Sequence, residues 1–346
     1  MIDLRIAAER MQRQRLTKPA PADPVDVVEW FGAVQAQEYG PAKWALALRM
    51  RGCVTDAQIE RACNDGRILR THAMRPTWHF VSARDIHWLL ELTAPRVKQG
   101  MAFAQKYSGV TAADHRRAAG VIARALDEHE CLTRTELAGC LARAGVPAKG
   151  IALAVIVIHA EQEGIICSGP RRGKHYTYAL LDRRASRPKQ YPRDEALGEL
   201  TTRYLRSHAP ATVRDFSWWS GLTIADAKRG LEIVGARRHV AGTLTYWTIG
   251  PRRAVTTPPR DLMHVLPIYD EYLVAYRDQV AVPRGKPSWG LLAPSIVWRG
   301  EVIGAWKSAR GNGEPKVTIT LGRKLTAAER QHLDRALARY TQFVQS

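Results

Sequence analysis

Apolar residues recur at helical spacing over much of the first hundred positions. Asp23-Pro24 offers an N-cap with proline at the first helical position, and Val27, Val28, Phe31 and Val34 then repeat every three to four residues. The spacing predicts a helix that runs on from Pro24 and stops at Gly40-Pro41. A second helix carries Trp44, Leu46 and Leu48, and a third, capped by Thr55, puts Ile59, Ala62 and Cys63 on one face. Two strand-like runs follow, Ile68 to Ala73 and Thr77 to Val81, with a turn at Arg75-Pro76. Ser82 with Asp85 resembles a capping box that opens a helix through Ile86, Leu89 and Leu90. Helices followed by a β-hairpin are the order of a winged helix.

The order returns twice. Residues 111–182 hold a helix from Ala118 to Glu128, a helix from Thr133 to Leu141 capped by Thr133 and Glu136, and an apolar helix from Ile151 to Glu163. Two strand-like runs then flank the basic turn Gly169-Pro170-Arg171-Arg172-Gly173-Lys174, which suits a wing that touches DNA. A basic, proline-bearing linker leads into residues 190–252. There Glu195–Ser207, Thr212–Trp219 and Ile224–Leu231 read as helices, and Arg237–Val240 and Leu244–Ile249 as strands. Residues 255–346 are rich in short strands: Met263–Ile268, Tyr272–Tyr276, Ser295–Trp298, Glu301–Lys307 and Lys316–Leu321. Gly300 and Gly311-Asn312-Gly313 mark turns, and a closing helix starts near Thr326. The expected fold is α+β: winged-helix units at 1–110, 111–182 and 190–252, and a small β-barrel or curled sheet at 255–346.

Charge changes what this architecture is for. Lys and Arg total 52 against 33 Asp and Glu, a net charge of +19 over 346 residues. A folded protein this basic meets a polyanion, and the predominance of Arg suits two-pronged contacts to phosphate. The longest apolar stretch, Ile151 to His159, is too short to cross a membrane, and the N-terminus reads as an amphipathic helix rather than a signal peptide. Cys53, Cys63, Cys131, Cys140 and Cys167 form no C-x-x-C pair. No disulfide framework, metal or cofactor is expected, and a reduced cytoplasm fits. P-loop, G-x-G-x-x-G, H-E-x-x-H and G-x-S-x-G signatures are absent. His72, His79 and His87 read as structural histidines or phosphate contacts. A non-catalytic winged-helix regulator and, with less support, an RNA-binding module therefore stay open at this point.

One segment carries possible chemistry. Gln35 and Gln37 flank Ala36 just before Gly40-Pro41, at the expected end of an apolar helix, where glutamines also serve as plain caps. Together with Leu69-Arg70-Thr71-His72-Ala73-Met74-Arg75-Pro76-Thr77-Trp78-His79-Phe80-Val81, this segment resembles the AlkZ/YcaQ-type bacterial DNA glycosylases of the winged-helix superfamily. So do Leu266 to Asp278, Pro294-Ser295-Ile296-Val297 and Gly304-Ala305-Trp306-Lys307. The resemblance covers nearly the whole chain with its motifs in order. It implies three tandem winged helices and a β-barrel forming a C-shaped clamp on duplex DNA. It also implies a monofunctional, hydrolytic DNA glycosylase with Gln35 and Gln37 as catalytic pair; three winged helices in one chain supply multiple contacts without dimerisation, which favours a monomer. Gln35-Ala36-Gln37 looks like the glutamine–glutamine branch, associated with bulky antibiotic adducts and interstrand crosslinks of alkylated purines. Pro76 departs from the family, which has glycine there. The wing reading places Arg75, Thr77, His79, Arg171, Arg172 and Lys174 at DNA, and Tyr269 and Arg277 on a hairpin that probes the lesion.

Overall fold

The computed structural model describes residues 4–187, 191–250, 262–277, 293–309 and 315–345. The turn Gly311-Asn312-Gly313, Asp278 and positions 188–190 of the linker lie outside the described residues. The chain gathers into two compact units. One comprises Met1–Glu60, Gly198–Trp219 and Thr223–Ser346, the other Arg61–Leu197 and Ser220–Leu222.

In the first unit, the Asp23 side chain accepts from Val25 N–H at 2.8 Å and starts the helix Pro24–Phe31. The helix stops at Gly32, eight residues sooner than the apolar spacing suggests. Gly32 has φ 88°, which a side-chain-bearing residue rarely adopts. Val34–Gln35 is therefore a two-residue strand, not helix. Gly40-Pro41 opens the next helix, Tyr39–Arg49, instead of ending the previous one. Proline in a first turn forfeits no helical hydrogen bond.

The helix Ile224–Ile233 is opened by a Thr223/Asp226 capping box and followed by the hairpin Arg237–Ala241 with Leu244–Thr248. Tyr272–Tyr276, expected as a strand, begins instead in a short helix, Glu271–Val274, because Asp270 caps it by accepting from Tyr272 N–H at 2.9 Å. Tyr272 and Tyr276 are core residues, 0% and 1% exposed, so this segment is not a probing hairpin. Four antiparallel strands run in the order Lys316–Leu321, Glu301–Ala309, Ser295–Trp298, Met263–Leu266. The two outer strands do not pair, so among the described residues the sheet is open and the expected barrel is not closed. The helix Ala327–Gln345 covers this sheet. Tyr340 and Phe343 lie against Trp44, and the indole N–H groups of Trp44 and Trp306 donate to Val265 and Leu266 carbonyls, each at 2.8 Å.

In the second unit, Ile68–His72 pairs with Trp78–Ser82 from Ile68↔Ser82 to His72↔Trp78. Proline cannot adopt positive φ, so the left-handed residue of the connecting turn is Met74, at φ 63°. Gly221 abuts this turn, and a Cβ there would lie 2.1 Å from the Met74 carbonyl oxygen. Ser82 and Asp85 do bond, at 2.6 Å, but Asp85 is itself the N-cap of Ile86–Gly100. Helices Ala112–Glu128 and Arg134–Arg143 both start in full capping boxes, Thr111/Asp114 and Thr133/Glu136. With Gly150–Gln162 they bury Ile122, Leu126, Leu137, Leu141 and Ile156. A three-stranded sheet, Leu132–Thr133 beside Thr177–Leu180 beside Ile166–Ser168, completes the group.

Candidate active site

Gly32 turns the chain out of its helix and into the extended segment that carries Gln35, Ala36 and Gln37. In extended backbone, residues two apart face the same side. Ala36 is fully buried, Gln35 is 8% exposed and Gln37 is half-buried. The Gln35 N–H donates to Glu271 Oε1 at 2.7 Å. Glu271 is itself 1% exposed. Its other oxygen accepts from the Trp219 indole N–H at 3.0 Å and faces His208 Nε2 at 3.3 Å. Burial holds the His208 imidazole below its ordinary pKa, and Glu271 opposes that shift. The ring is therefore neutral near pH 7, with its Nε2–H toward Glu271 and Nδ1 at 2.8 Å from Ser207 Oγ. A carboxylate removed from water is tolerated only when its lone pairs are met, and three donors meet these.

Neighbouring groups fix Glu271 in turn. Asp270 takes both arms of Arg49 at 2.8 Å. Arg49 also donates to Gln14, Gln14 donates to the Tyr276 hydroxyl, and that hydroxyl donates to the His208 carbonyl at 2.9 Å. Sequence reasoning marked the glutamines but missed Glu271, His208, Trp219 and Arg49. The Asp270-Glu271 pair carried a signal, since Asp before Glu is an N-cap followed by an acidic first turn. Glu38 is exposed and caps Tyr39–Arg49 without a side-chain hydrogen bond, so nothing directs it toward the glutamines.

The other expected contacts fall into separate groups. Tyr269 is half-buried with φ 61°, and Arg277 is exposed with its guanidinium 5.6 Å from the Trp218 ring centre. In the second unit, Arg75 and Thr77 flank Pro76, half-buried. His79 is 0% exposed, and its Nδ1 lies 2.8 Å from the Thr77 carbonyl, so it braces the turn from inside. Arg172 and Lys174 are exposed on one turn beside the half-buried Arg171. Gly173 turns there at φ 56°. Arg171 N–H donates to Asn64 Oδ1 at 2.9 Å, and its guanidinium lies over Tyr176, as does that of Arg70. Tyr176 and Arg70 were not foreseen, although the alternation in Tyr176-Thr177-Tyr178 marks Tyr176 as the outward residue. Arg172 pairs with Glu136, whose carboxyl is held down to about 2 by Thr133 first and Arg172 second. Among the described residues no group of three or more His, Cys, Asp or Glu is placed to hold a metal ion, and no helix is long and apolar enough to cross a membrane.

Known proteins match this arrangement along almost its full length. The chain is 26% identical over 332 residues to an interstrand DNA cross-link repair glycosylase of Streptomyces sahachiroi, across 87% of this chain and 86% of that one. The solved structure of the Streptomyces sahachiroi DNA glycosylase AlkZ superposes with a TM-score of 0.76 at 22% identity, over 99% of this chain and 97% of the other, so the fold is shared. The family model for AlkZ-like DNA glycosylases matches residues 28–343. The chain thus belongs to the AlkZ-like DNA glycosylases, DNA-repair enzymes that act on the bond between base and sugar.

Proposed function

We infer that this enzyme releases cationic alkylpurines, such as N7-alkylguanine, including those tied into interstrand crosslinks, with Gln35 and Gln37 as its catalytic pair. The observation that carries the reading is the Gln35-Ala36-Gln37 segment anchored through its backbone to the buried Glu271. The name of the S. sahachiroi relative supports crosslinks as the substrate class.

The chemistry needs little from the protein. Alkylation puts a positive charge on the purine, so the base leaves as a neutral molecule without a general acid. Water oxygen bonds to the anomeric carbon, the carbon–nitrogen bond breaks toward the base, and the surplus water proton passes to solvent. A glutamine carbonyl accepts a water hydrogen while its amide donates to water or the sugar-phosphate. Two such groups on a fixed segment orient the attack. Ordinary glycosidases use two carboxylates. Here Glu271 is occupied by three donors and acts as a positioning residue.

The helix–strand–helix–helix–hairpin order of residues 112–180 supports a winged helix, and the helices and hairpin of 193–248 support another. We read three such units as a C-shaped clamp that holds duplex DNA. Arg171, Arg172, Lys174, Arg75, Thr77, Tyr269 and Arg277 supply its contacts, with His79 behind the turn. The enzyme works as a cytoplasmic monomer on damaged duplex.

The test is single-turnover base release from duplexes carrying N7-methylguanine or a nitrogen-mustard crosslink. Glutamine-dependent release from either supports the reading, and the ratio of rates ranks monoadduct against crosslink. Wild-type release by Gln35→Ala/Gln37→Ala would falsify the assignment.

A further inference from the structure

The helix Leu4–Arg13 ends in a Schellman turn, with Arg15 N–H donating to Gln12 O and Leu16 N–H to Met11 O, both at 3.0 Å. The turn requires left-handed backbone at Arg15, which has φ 59°. Glycine is the usual residue there because a Cβ crowds that conformation. An arginine at this position is strained, and its side chain indicates a use. The guanidinium lies over Trp30, 3.8 Å from the ring centre, and Arg206 lies over the same ring at 4.6 Å. Arg15 Nε is sealed from solvent and has no hydrogen-bond partner among the described residues. Burial lowers its pKa, and only Asp26 offsets that.

These groups border a cavity of about 520 Å³ in the first unit, together with Glu9, Arg13 and Lys18. Glu9 is paired with Arg13 at 2.9 Å, and Arg15 and Lys18 bring positive charge to the same cavity. Trp30 N–H donates to the Arg13 carbonyl at 2.8 Å, so the ring is held in place. Trp30 also stands in the last turn before Gly32, in the stretch of chain that leads directly into Gln35.

We propose that this cavity is a phosphate site that takes a phosphodiester of the DNA backbone, recognised by the Arg15 guanidinium laid flat on Trp30 with Lys18 beside it. A planar guanidinium matches phosphate with two N–H donors, and stacking fixes the plane in advance. The negative end of the helix accounts for a cation nearby. It does not account for one that is stacked, strained and partly desolvated. A phosphate seated here ties the DNA backbone to the segment that carries the glutamine pair.

The experiment is a salt series of affinity for undamaged duplex, using the full chain with Arg15→Gly, Lys18→Ala and the double variant. Lys324→Ala, an exposed cation away from the cavity, is the control. The double variant is expected to bind about tenfold more weakly at low salt, and its log–log salt slope to be shallower by roughly one to two. Arg15→Gly should melt no lower than wild type, because glycine suits the turn. Unchanged affinity and slope, or a loss matched by Lys324→Ala, overturns the proposal. So does a fall in melting temperature of Arg15→Gly with the salt slope intact, which would mark Arg15 as serving only the helix end. Inorganic phosphate separates the two sources of anion. If phosphate stabilises wild type while the variants keep full duplex affinity, the cavity holds free anions and not DNA.

Discussion

Gln35 in the first unit and Lys174 in the second are both expected to meet DNA, and they are held in opposite ways. The Gln35 peptide is bound by a carboxylate that is 1% exposed and bonded to two further side chains. Lys174 stands exposed at the tip of a turn whose arginines touch Asn64, Tyr176 and Glu136 at its base. Orienting a water demands fixed geometry, and a shift of about 1 Å can cost a hundredfold in rate. Attracting a phosphate demands charge on a reachable surface and tolerates motion. Rate and affinity should therefore separate between the two regions.

The largest expected effect tests the rigid side. Gln35→Ala/Gln37→Ala should lower single-turnover release of N7-methylguanine by about 10²–10⁴ while duplex affinity holds. Glu271→Gln comes next. Its amide would point N–H groups at the Trp219 or Gln35 donors, and the rate should fall by roughly ten to a hundredfold without loss of binding. If Glu271→Gln lowers only the melting temperature, the carboxylate is structural and the comparison breaks. On the charged side, Arg171→Ala/Arg172→Ala/Lys174→Ala should weaken duplex binding about tenfold and reduce the salt slope by roughly two to three, with the saturated rate unchanged.

The smallest effect is in pH. Burial holds His115, stacked on His159 at 3.9 Å, down to about 4, and holds His264 down to about 3. Both are neutral in the folded chain, whereas the unfolded chain binds protons below about 6.5. Their contribution to stability is complete above that pH and is lost as pH falls toward 4. Melting temperature should drop over that window, and His115→Gln should drop less.

What the sequence revealed follows the range of each interaction. The Thr133/Glu136 box, the helices around it and the Arg171–Lys174 turn are local, and they stand where spacing placed them. The helix end at Gly32 was passed over because Val34 continued the apolar period, yet backbone freedom at one glycine outweighed that period. Tyr272–Tyr276 resembled a strand because aromatic and apolar residues suit both states, and Asp270 decided for a helix. The Glu271–Gln35 bond spans 236 positions, and no periodicity carries such a pairing. A short glutamine motif was visible, but what holds it was not.

That same span has a consequence on the ribosome. The Gln35–Gln37 segment emerges before its carboxylate partner, which follows only after 236 more residues. At typical elongation speeds this takes roughly 10–50 seconds. Until then the Gln35 peptide N–H lacks its Glu271 partner. An unfinished or prematurely terminated polypeptide can carry the glutamine motif and the basic surface without the carboxylate that holds the motif in the finished fold.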